Sequence, residues 1–270
     1  MSKASEPIGI FDSGIGGLTV AHAIKELLPD ERLIYFGDTA HLPYGDKSTA
    51  AIQAYSIKIT DLLISRGCKV IVIACNSASA AAYELLTEYA ASKAKIINVV
   101  DPMVELVAQQ FKTEKIGVIG TRRTIATDIY KHRLRALLPE VDVVQLATPL
   151  LVPMIEEGFV HDKIAHDVID QYLGQETLAG IDQLILGCTH YPLIKSEIRE
   201  FYGNKVNILD SSLIIAQRLK AYLEAVNLLN DKHASGPDEF YVSDLTESFI
   251  KSARMFFGEP VQLTQHKLWE

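Results

Sequence analysis

The chain has 270 residues, 48% of them hydrophobic and 22% charged, with a formal net charge of −8. That length supports one large domain or two of moderate size, and the negative charge argues against a nucleic-acid partner. No apolar run is long enough to span a bilayer, and the start, MSKASEPIGIF, has no signal-peptide h-region, so a cytoplasmic protein with no membrane partner is expected.

The predicted elements alternate from the beginning. PIGIFD reads as a buried strand, SGIGG as a turn, and LTVAHAIKELLP as an amphipathic helix stopped by Pro29. RLIYFGD is a second strand, followed by the loop TAHLPYGDKS. A helix from about Thr49 to Arg66, ended by Gly67, leads to the strand KVIVIAC. The helix SASAAAYELLTEYAAS then leads to the strand KIINVV. Asp101-Pro102 is expected to break the chain, after which the pattern restarts. PMVELVAQQF is a helix, KIGVIGT a strand, TIATDIYKHRLRALL a helix and VDVVQLA a strand. LLVPMIEEGF reads as loop and short helix, HDKIAHDVIDQYLG as a helix, QLILGC as a strand, PLIKSEIREFY as a helix and KVNILD as a strand. The tail holds the helix SSLIIAQRLKAYLEAVNLL and the polar loop NDKHASGPDE. The strand EFYVSD, the helix TESFIKSARMFFG and the strand VQLTQHKL complete it.

Continuous apolar strands alternating with helices indicate parallel sheets covered on both faces. KIGVIGT echoes PIGIFDS, and the pairs Gly9/Gly117 and Cys75/Cys188 recur at similar offsets, which suggests duplicated halves. The expected fold class is α/β. It comprises two doubly wound, mostly parallel-sheet domains related by pseudo-symmetry, with the active site in the cleft between them. Packing the tail back on the first half makes residues 1–98 and 210–270 a discontinuous first domain and residues 99–209 the second.

Two runs carry the chemistry: VIVIACNSASA, with Cys75, and QLILGCTHYPL, with Cys188. In each, a β-branched run ends abruptly in a cysteine followed by small polar residues that can start a helix. Such a thiol sits at the carboxyl end of a strand, where open α/β sheets bind ligands. The amino end of a helix there favours a thiolate. An odd count of three cysteines argues against a disulfide framework, and the third, Cys68, reads as a small semi-buried residue.

The other motifs are weaker singly. DSGIGG (residues 12–17) lacks a P-loop Lys, is not GxGxxG, and places Asp12 where it repels phosphate. Backbone N–H groups holding a small carboxylate, with Asp12 handling a proton or an ammonium, fit it better. PYG (43–45) is a turn signal. Asn76 and Ser77 are expected to cap a helix. His190 could join Cys188 and Cys75 on zinc, but the spacing is too close for a structural site and no second pair completes it. A protease-type Cys–His pair leaves the equivalent place of Cys75 unexplained. His161 and His166 read as solvated. Glu156 and Glu157 read as a surface pair, with a cleft role for one of them open.

Two thiols facing across a cleft suit racemisation at a carbon acid. One thiolate removes a proton as general base and the other thiol delivers one as general acid. No cofactor and no metal are needed if N–H groups and hydroxyls stabilise the charge that develops on the substrate carboxylate.

DSGIGG, the PYG loop, ACNSA, the GTRRT run and LGCTHYP, in that order, resemble the glutamate racemases of the cofactor-independent aspartate/glutamate racemase family. The resemblance covers nearly the whole chain. It implies an isomerase that supplies D-glutamate from L-glutamate for peptidoglycan, commonly as a homodimer. By motif, Cys75 would deprotonate D-glutamate and Cys188 L-glutamate, with Asp12 assisting Cys75 and His190 assisting Cys188. Asp12, Ser13, Tyr44, Gly45, Asn76, Ser77, Thr189 and His190 would bind the substrate. An auxiliary role would fall to Glu156 or Glu157. Ser77 stands where the family usually has Thr, and keeps the hydroxyl. His41 stands where an Arg is frequent. The short amino terminus implies no activation by a cell-wall precursor.

Two alternatives stay open. An aspartate racemase of the same family usually has Thr-Glu after the second thiol, against Thr189-His190 here. A non-catalytic amino-acid-binding protein on the same two-lobed plan would leave the paired thiols without a purpose.

Overall fold

The computed structural model describes residues 3–110, 114–230, 232 and 236–269. Phe111, at the end of one expected helix, and most of the polar loop before residue 236 lie outside the described residues.

The first strand, β1 (Ile8–Asp12), is buried along its whole length, as a strand covered on both faces must be. It leads through the glycine turn into α1 (Leu18–Leu27) and β2 (Leu33–Gly37). Then come α2 (Thr49–Ser65), β3 (Val70–Ile73), α3 (Asn76–Ala90) and β4 (Lys95–Asn98). The second set is α4 (Val100–Gln110), β5 (Lys115–Gly120), α5 (Arg122–Ala126), α6 (Ile129–Leu137) and β6 (Asp142–Ala147). It continues with α7 (Leu151–Glu156), α8 (Lys163–Leu173), β7 (Gln183–Gly187), α9 (Lys195–Phe201) and β8 (Asn207–Asp210). The tail supplies α10 (Ser211–Ala225), β9 (Glu239–Val242), α11 (Glu247–Phe257) and β10 (Leu263–Gln265).

Ten strands form two sheets among the described residues, ordered β10-β9-β2-β1-β3-β4 and β6-β5-β7-β8. All their pairings are parallel. The core of the first sheet, β2-β1-β3-β4, has the same winding as the whole of the second, β6-β5-β7-β8. That common order is the pseudo-symmetry the sequence echo suggests. The tail returns to the first sheet, where β9 pairs with β2 and β10 with β9.

Strand alternation divides the first sheet's side chains between two buried layers. Ile8, Ile10, Val70 and Val72 face one apolar layer that also takes in Leu18, Ile24 and Leu219 and runs on into the second half through Ile155 and Leu184. Phe11, Ile34, Ile71 and Ile73 face the other, against Ile52, Ile59 and Leu63. Each such side chain, fully buried, contributes roughly 1.5–3 kcal/mol relative to exposure. Cys68 is buried here and inert in character: burial pushes its thiol up to about 12.

Several local readings need correction. Asp101-Pro102 does not break the chain. Asn98 Oδ1 accepts from the N–H groups of Val100 and Asp101, and Pro102 lies in the first turn of α4, where a missing N–H costs no helical bond. The single helix expected across 124–138 is two, because Asp128 takes the left-handed conformation (φ 53) between α5 and α6. Asn76 and Ser77 do not cap α3. Cys75 does, accepting from the Ala78 N–H at 3.4 Å. Cys188 meets no α-helix directly, since a 3-10 turn over Tyr191–Ile194 intervenes before α9.

Candidate active site

In an open α/β sheet, ligands bind beyond the carboxyl ends of the strands, where the winding reverses. The first sheet reverses between β1 and β3, and the second between β5 and β7. Cys75 follows β3, and Cys188 follows β7. Residues from both reversal points line one cavity of about 230 Å³. Ser13, Tyr44, Gly45, Cys75, Asn76, Ser77, Cys188, Thr189 and His190 all reach it.

On the first side, the Cys75 sulfur lies 3.7 Å from Ser13 Oγ and caps α3. The helix amino end was expected to lower this thiol. Burial instead pushes it up to about 12, reinforced by the Asp12 charge, with the Ala78 N–H and Ser13 opposing. Asp12 is wholly buried. Burial raises its carboxyl too, against the pull of His190 and the N–H groups of Gly14, Gly17 and Ser13. Asp12 Oδ2 accepts from the Gly14 N–H at 3.1 Å, while Oδ1 has no hydrogen-bond partner among the described residues. Among the sequence-predicted site residues, Asp12 is the one that does not line the cavity; it sits behind the wall, near Cys75 and His190.

The second side is built differently. His190 Nδ1 lies 3.7 Å from the Cys188 sulfur, and Nε2 lies 3.0 Å from Glu156 Oε1. Burial pulls the imidazole down, but its hydrogen bonds to Cys188 and Glu156 outweigh that and hold it up at about 10. The ring is therefore a cation at neutral pH, set against one sulfur. Across the cavity the other sulfur is a protonated thiol. Glu156 lines the cavity, whereas Glu157 is exposed at the end of α7, outside the lining. Of the two histidines read as solvated, His161 is largely exposed and meets Glu197; His166 is half-buried on α8.

The two halves close over the cavity through short contacts. Thr19 Oγ1 donates to the Thr189 carbonyl at 3.1 Å. Ser77 Oγ and Thr121 Oγ1 are 2.8 Å apart, and Tyr130 OH donates to Asn76 Oδ1 at 2.7 Å. Gly16 makes the approach possible, because a Cβ there would lie 2.3 Å from His190 Cε1. Asn76 Nδ2 is buried without a partner among the described residues, a donor free to meet a ligand.

Several lining residues escaped assignment from sequence, Thr121, Arg122 and Thr148 among them. Thr121 and Arg122 follow β5 at the second reversal point, in the GTRRT run, and Thr148 follows β6. The signals available for them were position, each being a polar residue at the carboxyl end of a predicted strand, and the GTRRT run for Thr121 and Arg122.

The Asp/Glu/Hydantoin racemase family matches residues 17–219. The chain is 42% identical over 256 residues to the glutamate racemase of Chlorobaculum parvum, covering 95% of this chain and 94% of that one. It is 41% identical over 251 residues to the glutamate racemase of Geobacter metallireducens, covering 93% and 92%. The crystal structure of glutamate racemase from Francisella tularensis in complex with D-glutamate matches with a TM-score of 0.92 and 38% identity, covering 98% of this chain and 99% of that one. On sequence, fold and the reach of both matches along the chain, this protein belongs to the Asp/Glu/hydantoin racemase family of enzymes.

Proposed function

We propose that this chain is a cofactor-independent glutamate racemase that interconverts L- and D-glutamate with two cysteine bases. One observation carries the reading: Cys75 and Cys188, from separate sheets, line the same cavity. The named substrate comes from the relatives, which are glutamate racemases, one of them crystallised with D-glutamate.

The proton balance is simple. In the L-to-D direction the Cys188 thiolate takes the Cα proton, and the electrons of the broken C–H bond pass into the substrate carboxylate. The Cys75 thiol then gives its proton to the opposite face, which leaves Cys75 as thiolate and Cys188 as thiol. In the D-to-L direction the roles exchange. A thiol at Cys75 and an imidazolium beside Cys188 fit the first of these. Asp12 assists Cys75 and His190 assists Cys188. Ser13, Ser77, Thr189, Asn76 and the Tyr44–Gly45 loop hold the carboxylates and the ammonium, joined by Thr121 and Thr148. Fixed donors of this kind act where charge develops in the transition state.

In the cell the product would be D-glutamate for peptidoglycan, made by a cytoplasmic homodimer. The strand pairing of β9 and β10 supports a first domain of residues 1–98 and 210–270 and a second of 99–209.

Incubation with L-glutamate in D₂O tests the reading. A racemase replaces the Cα proton with deuterium while optical rotation decays, and Cys75→Ala and Cys188→Ala each abolish full racemisation. An untouched Cα proton would mean a binding protein, exchange with aspartate alone would mean a different substrate, and full activity in either single variant would refute the two-base scheme.

A further inference from the structure

Asp38 follows β2 and is completely buried. Tyr44 OH donates to its Oδ2 at 2.7 Å, while Ser243 Oγ and Trp269 Nε1 donate to its Oδ1 at 2.9 and 2.8 Å. His41 Nδ1 lies 3.0 Å from both oxygens. No Lys or Arg pairs with it among the described residues. A fully buried carboxylate is costly to keep without such partners, and one of its donors, Tyr44, lines the cavity. Trp269, from the segment after β10, is set edge-on to His41 and Tyr55, while His41 stacks on Tyr55 with ring centres 4.1 Å apart.

We infer that Asp38 is a positioning residue for the Tyr44–Gly45 loop, and that Trp269 acts through it to hold that loop in its substrate-binding position. Asp38 touches neither thiol directly, so its effect falls on binding rather than on proton transfer. The inference rests on the racemase reading only for what the loop binds.

Trp269 is the chain's single tryptophan, so its emission reports on this contact. Titration of the full chain with D-glutamate should change that emission saturably. Trp269→Phe keeps a ring against His41 and Tyr55 and loses the N–H. Its KM for glutamate should rise about five- to tenfold with kcat within about twofold, the pattern of lost uniform binding. Ser243→Ala removes another donor from the same oxygen, should give the same split, and stands in if Trp269→Phe does not fold. Emission indifferent to glutamate, unchanged KM in both variants, or a loss confined to kcat would overturn the inference. A saturable emission change in a chain that racemises nothing would uphold the coupling and sink the catalytic reading instead.

Discussion

Glu156 and His190 are joined by one hydrogen bond, 3.0 Å between Oε1 and Nε2, on the side of the imidazole facing away from Cys188. It distinguishes two adjacent glutamates. Glu156→Gln should lower kcat roughly 10- to 100-fold, the loss of one charge-assisted bond, while Glu157→Gln stays within about twofold. Steady-state kinetics of the two variants checks this; equal losses would remove the assignment.

His190→Asn should slow turnover more from L to D than from D to L. The equilibrium constant is fixed, so KM must shift to compensate. The expected loss in the sensitive direction is on the order of 10²-fold. Initial rates in both directions decide it, and symmetric loss of kcat counts against a one-sided role.

The same histidine couples stability to pH. Its folded pKa, about 10, lies above its ordinary value of 6.5. The folded state therefore holds a proton that the unfolded chain gives up, so this contribution is complete below pH 6.5 and is lost as pH rises through about 10. Cys75, raised from 9.0 to about 12, has the same sign at higher pH. Urea midpoints should fall between pH 6.5 and 9, with a slope bounded by about 1.4 kcal/mol per pH unit for each proton. His190→Asn should flatten the fall; an equally steep one would place its origin elsewhere.

Gly16→Ala puts a methyl group 2.3 Å from His190 Cε1 and 2.7 Å from Thr189 Oγ1. The imidazole or its surroundings must shift. Overpacking of this kind costs about 1–3 kcal/mol, and misplacement of the assisting group should lower kcat more than tenfold. Thermal denaturation and kinetics on the same sample separate the two effects.

Lys69 and Glu31 form a fully buried pair at 2.6 Å, and Glu31 also accepts from the Asn230 N–H. Lys69→Met leaves that carboxylate stranded and should cost about 3–5 kcal/mol. Adding Glu31→Leu should recover most of the loss. A single variant as stable as the parent in urea would show that the pair is dispensable.

The fold was legible because its signals are local and periodic. Runs such as VIVIAC and LILGC can only be strands buried on both faces, and the helices between them leave parallel pairing as the solution. The errors came where one side chain or one backbone angle decides: Asn98 capping through Pro102, Asp128 turning left-handed, Cys75 taking the cap that Asn76 and Ser77 were given. These depend on contacts a few ångströms long that leave no period in the sequence.

By itself, the sequence determined the chemistry available at each strand end: a thiol, then hydroxyls, an amide or an imidazole. Only the tertiary structure decided how those groups differ once assembled. Burial and the neighbouring Asp12 keep Cys75 protonated, while Cys188, together with Glu156 brought in from α7, keeps His190 charged. The reason is physical: a pKa is set by the dielectric and charges around a group, and in this protein those come from residues far apart along the chain.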